Sequence, residues 1–260
     1  MPFLHKNKVN NFFNFKNKKV LILGGSSGFG KKISELFLDL GAEVFIVARN
    51  KRRLEKIYND SINKKKTHIY QTDINSEHEM NNFISDIKKK TKYLNIIIYC
   101  CGTNIRESFV NLQYKNFNDV LQTNFISALK TYKKLFFLVK SKKQFTRIIN
   151  FCSIFSTTTI QSRTSYSTSK AALLMLTKNL ALEWSKYNTT VNAISPGPFL
   201  TKINLPVLKN KKEYEKFCEK IPLNRFGNLE EILTAVLFLS SEKSSYVTGS
   251  EIIVDGGWTI

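Results

Sequence analysis

Lys19-Val-Leu-Ile-Leu-Gly-Gly-Ser-Ser-Gly-Phe-Gly30 is the stretch that decides the fold expected of this chain. It begins with a mostly apolar run, which is typical of a strand buried on both faces. Glycines follow in the spacing G-x-x-x-G-x-G, and they let the backbone come close to a ligand. The next residues repeat apolar side chains with helical period, and Gly41 is expected to end that helix. Strand, glycine turn and helix in this order predict a site for the phosphates of a dinucleotide, although a plain tight turn is the alternative.

Length and composition indicate one large domain. The chain has 260 residues, of which 42% are hydrophobic, and it shows neither a linker nor an internal repeat. Residues 1–17 form a basic extension, within which Phe15 is expected to pack at the sheet edge, and residues 18–260 form the domain. No run approaches the roughly 20 apolar residues that a membrane span needs, and no secretory signal is visible at the start.

Cysteine usage favours a reducing compartment. Four cysteines occur, and none stands in Cys-x-x-Cys spacing. Adjacent Cys100 and Cys101 lie in an apolar run and are predicted to be small buried thiols. A cytoplasmic protein without a membrane partner is the expectation.

The strong positive charge raises the question of nucleic-acid binding. The sequence carries 40 Lys and Arg against 20 Asp and Glu, which is a formal net charge of +20. The lysines are spread over the whole chain, so no nucleic-acid partner is expected. The charge should still attract anionic cofactors and substrates.

The residue after the second predicted strand bears on the choice of cofactor. Glu43–Ala48 is that strand, and Arg49 stands where many NAD-binding proteins place an acid for the ribose hydroxyls. An arginine can pair with the extra phosphate of NADP, whereas an acid would repel it. NADP(H) is therefore the preferred cofactor, with NAD(H) as the second choice. The alternative is that Arg49 merely begins a solvated helix.

Two further strand ends are expected to border the same cofactor. Residues 68–73 form a short predicted strand, after which Asp73 could accept a bond from the adenine amino group and Ile74 could contact the ring. Asp73 could instead cap the next helix, a role for which Ser76 competes. A fourth strand ends at Gly102, which lets the chain pass close to the cofactor.

The segment Tyr166-Ser-Thr-Ser-Lys170 carries the candidate chemistry. Four residues apart on a helix, the phenol and the amine share one face. A free phenol has a pKa of about 10, but a neighbouring ammonium favours the phenolate, so such a pair can exchange a proton near neutral pH. Ser153 ends a buried strand 13 residues upstream, at the sheet edge where α/β proteins bind ligands. Two exposed residues on a helix are the bland alternative.

Three other segments have a predicted form. A long helix is expected over 113–139, and a lone asparagine in a helix, here Asn124, is usually exposed or bonded to the previous turn. A sixth strand over 190–195 is expected to break at Pro196. The polar, irregular segment over about 197–228 is typical of a substrate lid.

These motifs agree in kind and order with one known family. They are Gly24-x-x-x-Gly28-Phe-Gly30, Gln122-Thr-Asn124, Ser153, Tyr166-x-x-x-Lys170, Asn192-x-x-x-Pro196-Gly197 and Val254-Asp-Gly-Gly257. On them, residues 18–260 resemble the short-chain dehydrogenase/reductase family. The resemblance implies an α/β fold, a single Rossmann-type doubly wound domain with a seven-stranded parallel sheet and helices on both faces. It also implies hydride transfer between a nicotinamide and a carbonyl or alcohol, without a metal, in a homotetramer or homodimer.

By position, the resemblance implies a role for each catalytic residue. Tyr166 is the proton donor or acceptor, Ser153 orients the substrate oxygen, and Lys170 holds the nicotinamide ribose. Asn124 is then no bystander, because in the family this asparagine kinks its helix and holds a water of the proton relay. Cofactor contacts are expected from Gly24, Ser26, Ser27, Gly28, Phe29, Gly30, Arg49, Asp73, Ile74, Gly102, Tyr166, Lys170, Pro196, Gly197, Phe199 and Thr201.

Two departures from the family pattern fall near the cofactor. Where the family usually has Asn-Asn-Ala-Gly, this chain has Tyr99-Cys-Cys-Gly102, so two carboxamides are lost and the support of the site must differ. Where the family usually has Thr before the first glycine, this chain has Leu23, which lacks the hydroxyl that ties the glycine turn to a neighbouring strand. Neither change touches the reacting groups.

Two arginines suggest the substrate. The segment Gly102-Thr-Asn-Ile-Arg106 is similar to the same region of gluconate and deoxygluconate dehydrogenases, and a weaker likeness to tropinone-type reductases follows later in the chain. Arg106 could bind a carboxylate through two parallel hydrogen bonds, Arg163 could add a second charge, and Phe155 is a further candidate contact. Each arginine could equally be a surface residue. A sugar, sugar acid or polyol is the first hypothesis; 3-oxoacyl groups on an acyl-carrier protein are the alternative, and a catalytically silent NADP-binding regulator is the third.

Overall fold

A computed structural model describes residues 11–140, 144–201 and 204–260. Seven strands form one sheet in the order β3-β2-β1-β4-β5-β6-β7, and every neighbouring pair is parallel. This confirms the predicted seven-stranded parallel sheet. The strands are β1 (Lys19–Leu23), β2 (Glu43–Ala48), β3 (Thr67–Gln71), β4 (Ile96–Tyr99), β5 (Thr146–Phe151), β6 (Thr189–Pro196) and β7 (Glu251–Val254).

Helices connect the strands and cover both faces of the sheet. None of the helices in the described residues is long and apolar enough to cross a membrane. They are α1 (Gly28–Asp39), α2 (Lys51–Asp60), α3 (Glu77–Lys90), α4 (Tyr114–Leu121), α5 (Ser127–Val139), α6 (Thr164–Trp184), α7 (Leu205–Leu208), α8 (Lys211–Cys218) and α9 (Leu233–Ser240).

The sheet divides the hydrophobic core into two layers. Leu21 and Leu23 of β1 pack into one layer, while Val20 and Ile22 pack into the other, and all four are fully buried. Successive side chains of a strand point to opposite faces, so a strand buried on both faces must be apolar throughout. The first layer includes α3, α5 and α6, and the second includes α1, α2 and α9. The doubly wound architecture expected from the sequence is confirmed.

The direction of winding reverses beside β1. The chain proceeds outward from β1 to β2 and β3, and then returns to place β4 on the other side of β1. In open α/β sheets, this reversal opens a crevice outside the carboxyl ends of the strands. The glycine turn after β1 and the segment after β4 both lie at that crevice.

Of two expectations about the second half of the chain, one is wrong in part and the other is confirmed to within one residue. The segment over 197–228 is not irregular throughout, because Leu205–Leu208 and Lys211–Cys218 are helical and their apolar side chains pack into a small core of their own. The sixth strand ends at Pro196 as expected, with Pro196 itself still paired to Val254 as the last residue of β6. Proline is tolerated there because the strand needs no further amide donor at its end.

The predicted helix over 113–139 is continuous but not uniform. Between α4 and α5 the residues Gln122–Ile126 form a turn of π-helix, here called the π turn. Asn124 lies inside it and is 0% exposed, so of the two alternatives for a lone asparagine in a helix, exposure or a bond to the previous turn, exposure is excluded. A π turn holds one residue more than an α turn and is often found at functional sites.

The described part of the amino-terminal extension packs against the domain. Residues 1–10 of the predicted extension over 1–17 lie outside the described residues. Phe15 is 3% exposed, and its ring meets the ring of Phe37 edge-on at 5.2 Å between centroids. Phe15 is therefore part of the second core layer.

Candidate active site

A cavity of about 550 Å³ lies at the carboxyl edge of the sheet. Its wall runs from the glycine turn past Arg49 and Asp73 to Ser153, Tyr166 and Lys170. Every residue that the sequence suggests as a cofactor contact belongs to this wall. The crevice at the winding reversal is therefore a single continuous site, long enough to bring a glycine turn and a candidate proton donor to one ligand.

The glycine turn is held by close backbone approaches. A Cβ on Gly30 would lie 2.2 Å from the Gly24 carbonyl oxygen, so only glycine permits helix α1 to begin here. The amides of Gly24 and Gly25 donate to the Val47 carbonyl at 2.8 and 3.2 Å. The Ser34 hydroxyl lies 2.8 Å from the Gly30 carbonyl oxygen and 3.1 Å from that of Gly25. Ser34 thus supplies, from α1, a hydroxyl tie to the turn that Leu23 cannot make.

The position of Arg49 excludes one alternative for it. Helix α2 begins at Lys51, and Asn50 is its cap, because the Asn50 side chain accepts a hydrogen bond from the Arg53 amide at 2.9 Å. Arg49 therefore precedes the helix rather than beginning it. Arg49 and Arg53 both belong to the cavity wall.

The structure also shows which residue caps helix α3. Ser76 caps α3 by accepting from the Glu79 amide at 3.3 Å, so the capping alternative for Asp73 is wrong. The Asp73 amide donates to a Glu79 carboxylate oxygen at 2.8 Å, and an Asp73 carboxylate oxygen accepts from the Asn75 amide at 3.0 Å. These bonds hold the loop in the cavity wall, where Ile74 also lies.

Ser153, Tyr166 and Lys170 meet in one part of the wall. Lys170 is 4% exposed and its ammonium donates to the Phe151 carbonyl at 2.7 Å. The same nitrogen lies 5.8 Å from the centre of the Tyr166 ring. A Cβ on Gly102 would lie 3.4 Å from this nitrogen, so glycine leaves it room. The helix spacing of four residues therefore brings phenol and ammonium together beside the strand-end serine.

Asn124 does not line the cavity, but it contacts helix α6, which carries Tyr166 and Lys170. Its Nδ2 donates to the Thr103 carbonyl at 3.0 Å and to the Ser169 hydroxyl at 2.9 Å, and its Oδ1 accepts from the Thr103 amide at 2.8 Å. The Ser169 hydroxyl in turn donates to the Tyr166 carbonyl at 2.7 Å. A chain of buried hydrogen bonds thus joins Asn124 to the backbone of Tyr166.

The sequence analysis missed the residues that hold the π turn. The Tyr99 hydroxyl donates to the Thr123 carbonyl at 2.8 Å, and the Asn75 side chain donates to the Thr123 hydroxyl at 3.0 Å. The Ser127 hydroxyl donates to the Asn75 carboxamide oxygen at 2.8 Å. These partners are 24 to 52 residues apart, so no local spacing could have indicated them.

The two candidate substrate arginines differ in position. Arg163 is 4% exposed and belongs to the wall, so it is not a surface residue, whereas Arg106 is outside the wall and partly buried. Nε and Nη1 of Arg163 and Nη2 of Arg106 are buried without hydrogen-bond partners in the described parts of the chain. Burial, followed by the charge of Arg106, lowers the pKa of Arg163 to about 10. Phe155 packs beside Arg163, with the guanidinium carbon 5.9 Å from the ring centre.

Three cysteines border the cavity. Cys152 is buried, whereas Cys100 and Cys101 are partly exposed as whole residues, so the prediction that both are buried is confirmed only in part. Cys100 and Cys101 follow β4 at the cavity edge, and each packs against one of the two core layers. The low-polarity surroundings raise the pKa of Cys101 and of Cys152 to about 12, which keeps these thiols protonated.

The residues of this cavity fit a nicotinamide dinucleotide. Gly28 faces open space, with no atom within 4 Å of the Cβ that another residue would carry, and it begins α1. Open space at a helix amino end suits a phosphate, because backbone amides and the helix dipole both favour an anion. Arg49 and Arg53 add positive charge farther along the wall.

Sequence comparison places the chain among known oxidoreductases. Residues 24–259 match a family model described as enoyl-(acyl carrier protein) reductase. An NAD-dependent glycerol dehydrogenase of Listeria innocua is 31% identical, over 95% of this chain and 96% of its own. A 3-oxoacyl-acyl-carrier-protein reductase of Aquifex aeolicus is also 31% identical, over 93% of this chain and 97% of its own.

Structural comparison agrees. A crystal structure of an Agrobacterium tumefaciens protein assigned as a gluconate dehydrogenase superimposes with a TM-score of 0.90. The two chains are 25% identical, and the match covers 96% of this chain and 99% of the other. The similarity therefore extends over the sheet, both helical layers and the segment that follows β6.

Proposed function

Because the chain belongs to the short-chain dehydrogenase/reductase family, and is thus an oxidoreductase that acts on an alcohol or ketone with NAD(P), we propose that its substrate is a sugar acid or a related hydroxy or keto acid. We further propose NADP(H) as its preferred cofactor. The observation that carries the choice of substrate is Arg163 in the cavity wall, a buried guanidinium whose Nε and Nη1 have no hydrogen-bond partner among the described residues.

The proposed chemistry divides between the cofactor and the chain. When bound, the nicotinamide accepts or supplies the hydride. The Tyr166 hydroxyl gives a proton to the substrate oxygen during reduction and takes it back during oxidation. Ser153 donates a hydrogen bond to the same oxygen and so fixes the carbonyl against Tyr166. Lys170, anchored on the Phe151 carbonyl, keeps a positive charge near the phenol and has further protons to offer a ribose hydroxyl.

The preference for NADP(H) is supported by the charges after β2. Arg49 and Arg53 border the cavity, and Arg49 occupies the position at which an acid would favour the free ribose hydroxyls of NAD. Two guanidinium groups can share one phosphate through charge-assisted hydrogen bonds. The glycerol dehydrogenase of Listeria innocua is named as NAD-dependent, so the preference has to be measured in this chain.

A carboxylate would resolve an unfavourable feature of the cavity. Burying a cation without an acceptor costs free energy, and Arg163 has the additional charge of Arg106 nearby. An anionic group bound to Arg163 would satisfy nitrogens that otherwise lack partners. Phe155 restricts where that group can lie, because its ring lies near both residues, 5.9 Å from the guanidinium carbon of Arg163 and edge-on to the Tyr166 ring at 6.5 Å between centroids.

The test is a substrate panel combined with one substitution. NADPH oxidation is measured with 2-keto- and 5-keto-D-gluconate, dihydroxyacetone and acetoacetyl-CoA. We expect a keto-gluconate to be reduced, and Arg163→Gln to raise its KM about 10- to 100-fold with a smaller change in kcat, because a charge-assisted pair is lost. Arg52→Gln is the control, since Arg52 is exposed and outside the wall. Reduction of acetoacetyl-CoA alone, unaffected by Arg163→Gln, contradicts the proposal.

A second candidate is reduction of 3-oxoacyl groups carried on an acidic carrier protein. It is favoured by the Aquifex aeolicus relative, which carries that name, and by the net charge of +20, which would attract an acidic partner. The same panel separates the two, because a thioester presents no carboxylate to Arg163.

A silent NADP-binding regulator is the third reading. We expect Tyr166→Phe to abolish turnover while the affinity for NADPH, measured by fluorescence titration, stays within about threefold of wild type, because only the proton donor is removed. Unchanged turnover in this variant would remove Tyr166 from the proposed chemistry.

A further inference from the structure

The π turn changes which backbone groups of the helix are paired. The Ser127 amide, which in an α-helix would donate to the Thr123 carbonyl, donates instead to the Gln122 carbonyl. Buried carbonyls in native proteins almost always find another donor. The carbonyl of Thr123, directly before Asn124, accepts from the Tyr99 hydroxyl at 2.8 Å.

Tyr99 offers this hydrogen bond from a rigid support. It is the last residue of β4, and β4 lies between β1 and β5, so both of its edges are paired. The side chain is 0% exposed. Burial raises the pKa of Tyr99 well above its ordinary value, so the phenol keeps its proton and remains a donor at any working pH.

Asn124 depends on the path of the backbone that Tyr99 holds. Its carboxamide bonds to Thr103 on the loop after β4 and to Ser169 on α6. Asn124 forms both sets of bonds from its place in the π turn. A turn that relaxed by even half an ångström would stretch bonds of 2.8 to 3.0 Å on both sides. The place of the carboxamide therefore follows from the place of residue 123.

We propose that Tyr99 is a positioning residue for Asn124: its hydroxyl holds the Thr123 carbonyl and thereby sets the asparagine against the helix that carries Tyr166. This inference deepens the proposed function and rests on it, because it takes Asn124 to serve proton transfer at Tyr166. The family pattern has asparagine where this chain has Tyr99, so the arrangement is particular to the tyrosine.

Tyr132 provides a matched control. It is 1% exposed, belongs to the same core layer, and its ring centre lies 6.3 Å from that of Tyr99. Its hydroxyl donates to the Asn150 carboxamide oxygen and not to the π turn. Replacing either tyrosine by phenylalanine removes one buried hydroxyl and leaves one buried acceptor unsatisfied, so both variants should lose similar stability.

The first experiment is kinetic. Tyr99→Phe, Tyr132→Phe, Asn124→Ala and the double variant Tyr99→Phe/Asn124→Ala are assayed with NADPH and whichever of 5-keto-D-gluconate or acetoacetyl-CoA the wild type reduces. We expect Tyr99→Phe to lower kcat about tenfold with both KM values within twofold, and Tyr132→Phe to keep kcat within twofold. In the Asn124→Ala background, Tyr99→Phe should cause no further loss. Equal kcat values for the two phenylalanine variants, or independent losses in the double variant, would overturn the proposal.

The second experiment needs no turnover. Hydrogen exchange of the amides over 122–128 is measured in the NADPH complex, and we expect it to be faster in Tyr99→Phe and unchanged in Tyr132→Phe. Unchanged exchange in both contradicts the inference. If Tyr99→Phe does not fold, p-aminophenylalanine at position 99, which keeps a donor, is compared with p-fluorophenylalanine, which does not; equal behaviour of these two also contradicts it. A wild type that reduces neither substrate, or an Asn124→Ala variant with full kcat, contradicts the proposed function instead.

Discussion

At the scale of single residues, this site places cations in buried positions, and none of the ion pairs among the described residues involves Arg163 or Lys170. Arg163 and Lys170 are both 4% exposed, and the hydrogen bond described for Lys170 goes to a neutral carbonyl. A buried charge without a counter-charge is costly, and it persists in active sites because a ligand offsets the cost. Arg49, which is exposed, adds a further positive charge at the outer end of the cavity. The distribution of charge therefore favours an anionic cofactor at one end and an anionic substrate at the other.

Arg49→Asp tests the outer end. The substitution places a carboxylate where the extra phosphate of NADP would lie, so we expect kcat/KM for NADPH to fall at least about 30-fold while that for NADH changes little or rises. Both values are measured with one substrate under identical salt. Arg52→Asp makes the same change of charge at an exposed neighbour outside the wall and should change the ratio less than threefold. An unchanged ratio in Arg49→Asp excludes Arg49 as the selective residue.

At the scale of elements, the glycine turn shows that two glycines of one motif have different physical roles. Gly30 is required for packing, because a Cβ there would collide with the Gly24 carbonyl oxygen at 2.2 Å. Gly28 meets no atom within 4 Å, but it has φ +52° and faces the cavity. One glycine therefore allows α1 to approach β1, and the other leaves the phosphate site open.

Substituting alanine at each position should separate these roles. We expect Gly30→Ala to lower the melting temperature by roughly 5 °C or more and to abolish NADPH binding, because backbone atoms must move apart. Gly28→Ala should lose only about 1 kcal/mol, from the strain of a left-handed residue, yet bind NADPH at least tenfold more weakly. The measurements are thermal unfolding and fluorescence titration. Equal losses of stability in the two variants would contradict the assignment.

An ion pair between Arg225 and Glu231 lies where the segment over 197–228 ends. Arg225 donates to both carboxylate oxygens of Glu231 at 2.7 and 2.8 Å, and the Asn228 amide donates to the same carboxylate at 2.7 Å. The hydrogen bonds from Arg225, followed by the one from the Asn228 amide, lower the pKa of Glu231 to about 2. The carboxylate is exposed, so its stabilising effect is small and depends on salt.

Glu231→Gln should show this effect as a function of pH. Because the folded-state pKa lies below the unfolded value near 4.3, the contribution is complete at pH 7 and is lost as the pH falls through that interval towards 2. We expect Glu231→Gln to lower the melting temperature at pH 7, with the gap to wild type narrowing as the pH is lowered to 3. Glu183→Gln, at an exposed position of α6, is the control and should show no such gap. A gap that does not change with pH would contradict an ionic origin.

At the scale of the whole molecule, α6 carries an apolar face that the single chain leaves uncovered. Met175 and Leu182 are seven residues apart, which places them on one side of the helix, and they are 55% and 79% exposed. Because exposed apolar residues in register often mark interfaces, we predict a contact between copies of the chain at this face. The net charge of +20 opposes association, so the contact should strengthen with salt.

The state of association tests this face. We expect wild type to sediment as a dimer or tetramer at 0.15 M salt, and Leu182→Glu to shift it towards a smaller species without changing the secondary structure seen by circular dichroism. Ile62→Glu alters a residue that is 95% exposed outside α6 and should not change the distribution. A monomeric wild type at micromolar concentration would remove α6 as an interface.

Much of the fold follows from local pattern. Apolar runs such as β1 and β4 predict buried parallel strands, because only a strand covered on both faces can lack polar residues. Helix α1 follows from apolar periodicity, and it ends at Asp39, two residues before the predicted end at Gly41. Errors fall where tertiary contacts override the local signal, as in the helices of the segment over 197–228, which form because they bury a small core of their own.

By itself, the sequence determined the order of strand, glycine turn and helix, the pairing of Tyr166 with Lys170 on one helix face, and the place of Ser153 at a strand end. Each of these depends on spacing within one element, so physical rules of local geometry suffice. Only the tertiary structure decided that Arg163 enters the cavity wall while Arg106 does not, and that the Tyr99 hydroxyl holds the turn around Asn124. These contacts join residues from different elements, and their geometry arises only when the layers pack together.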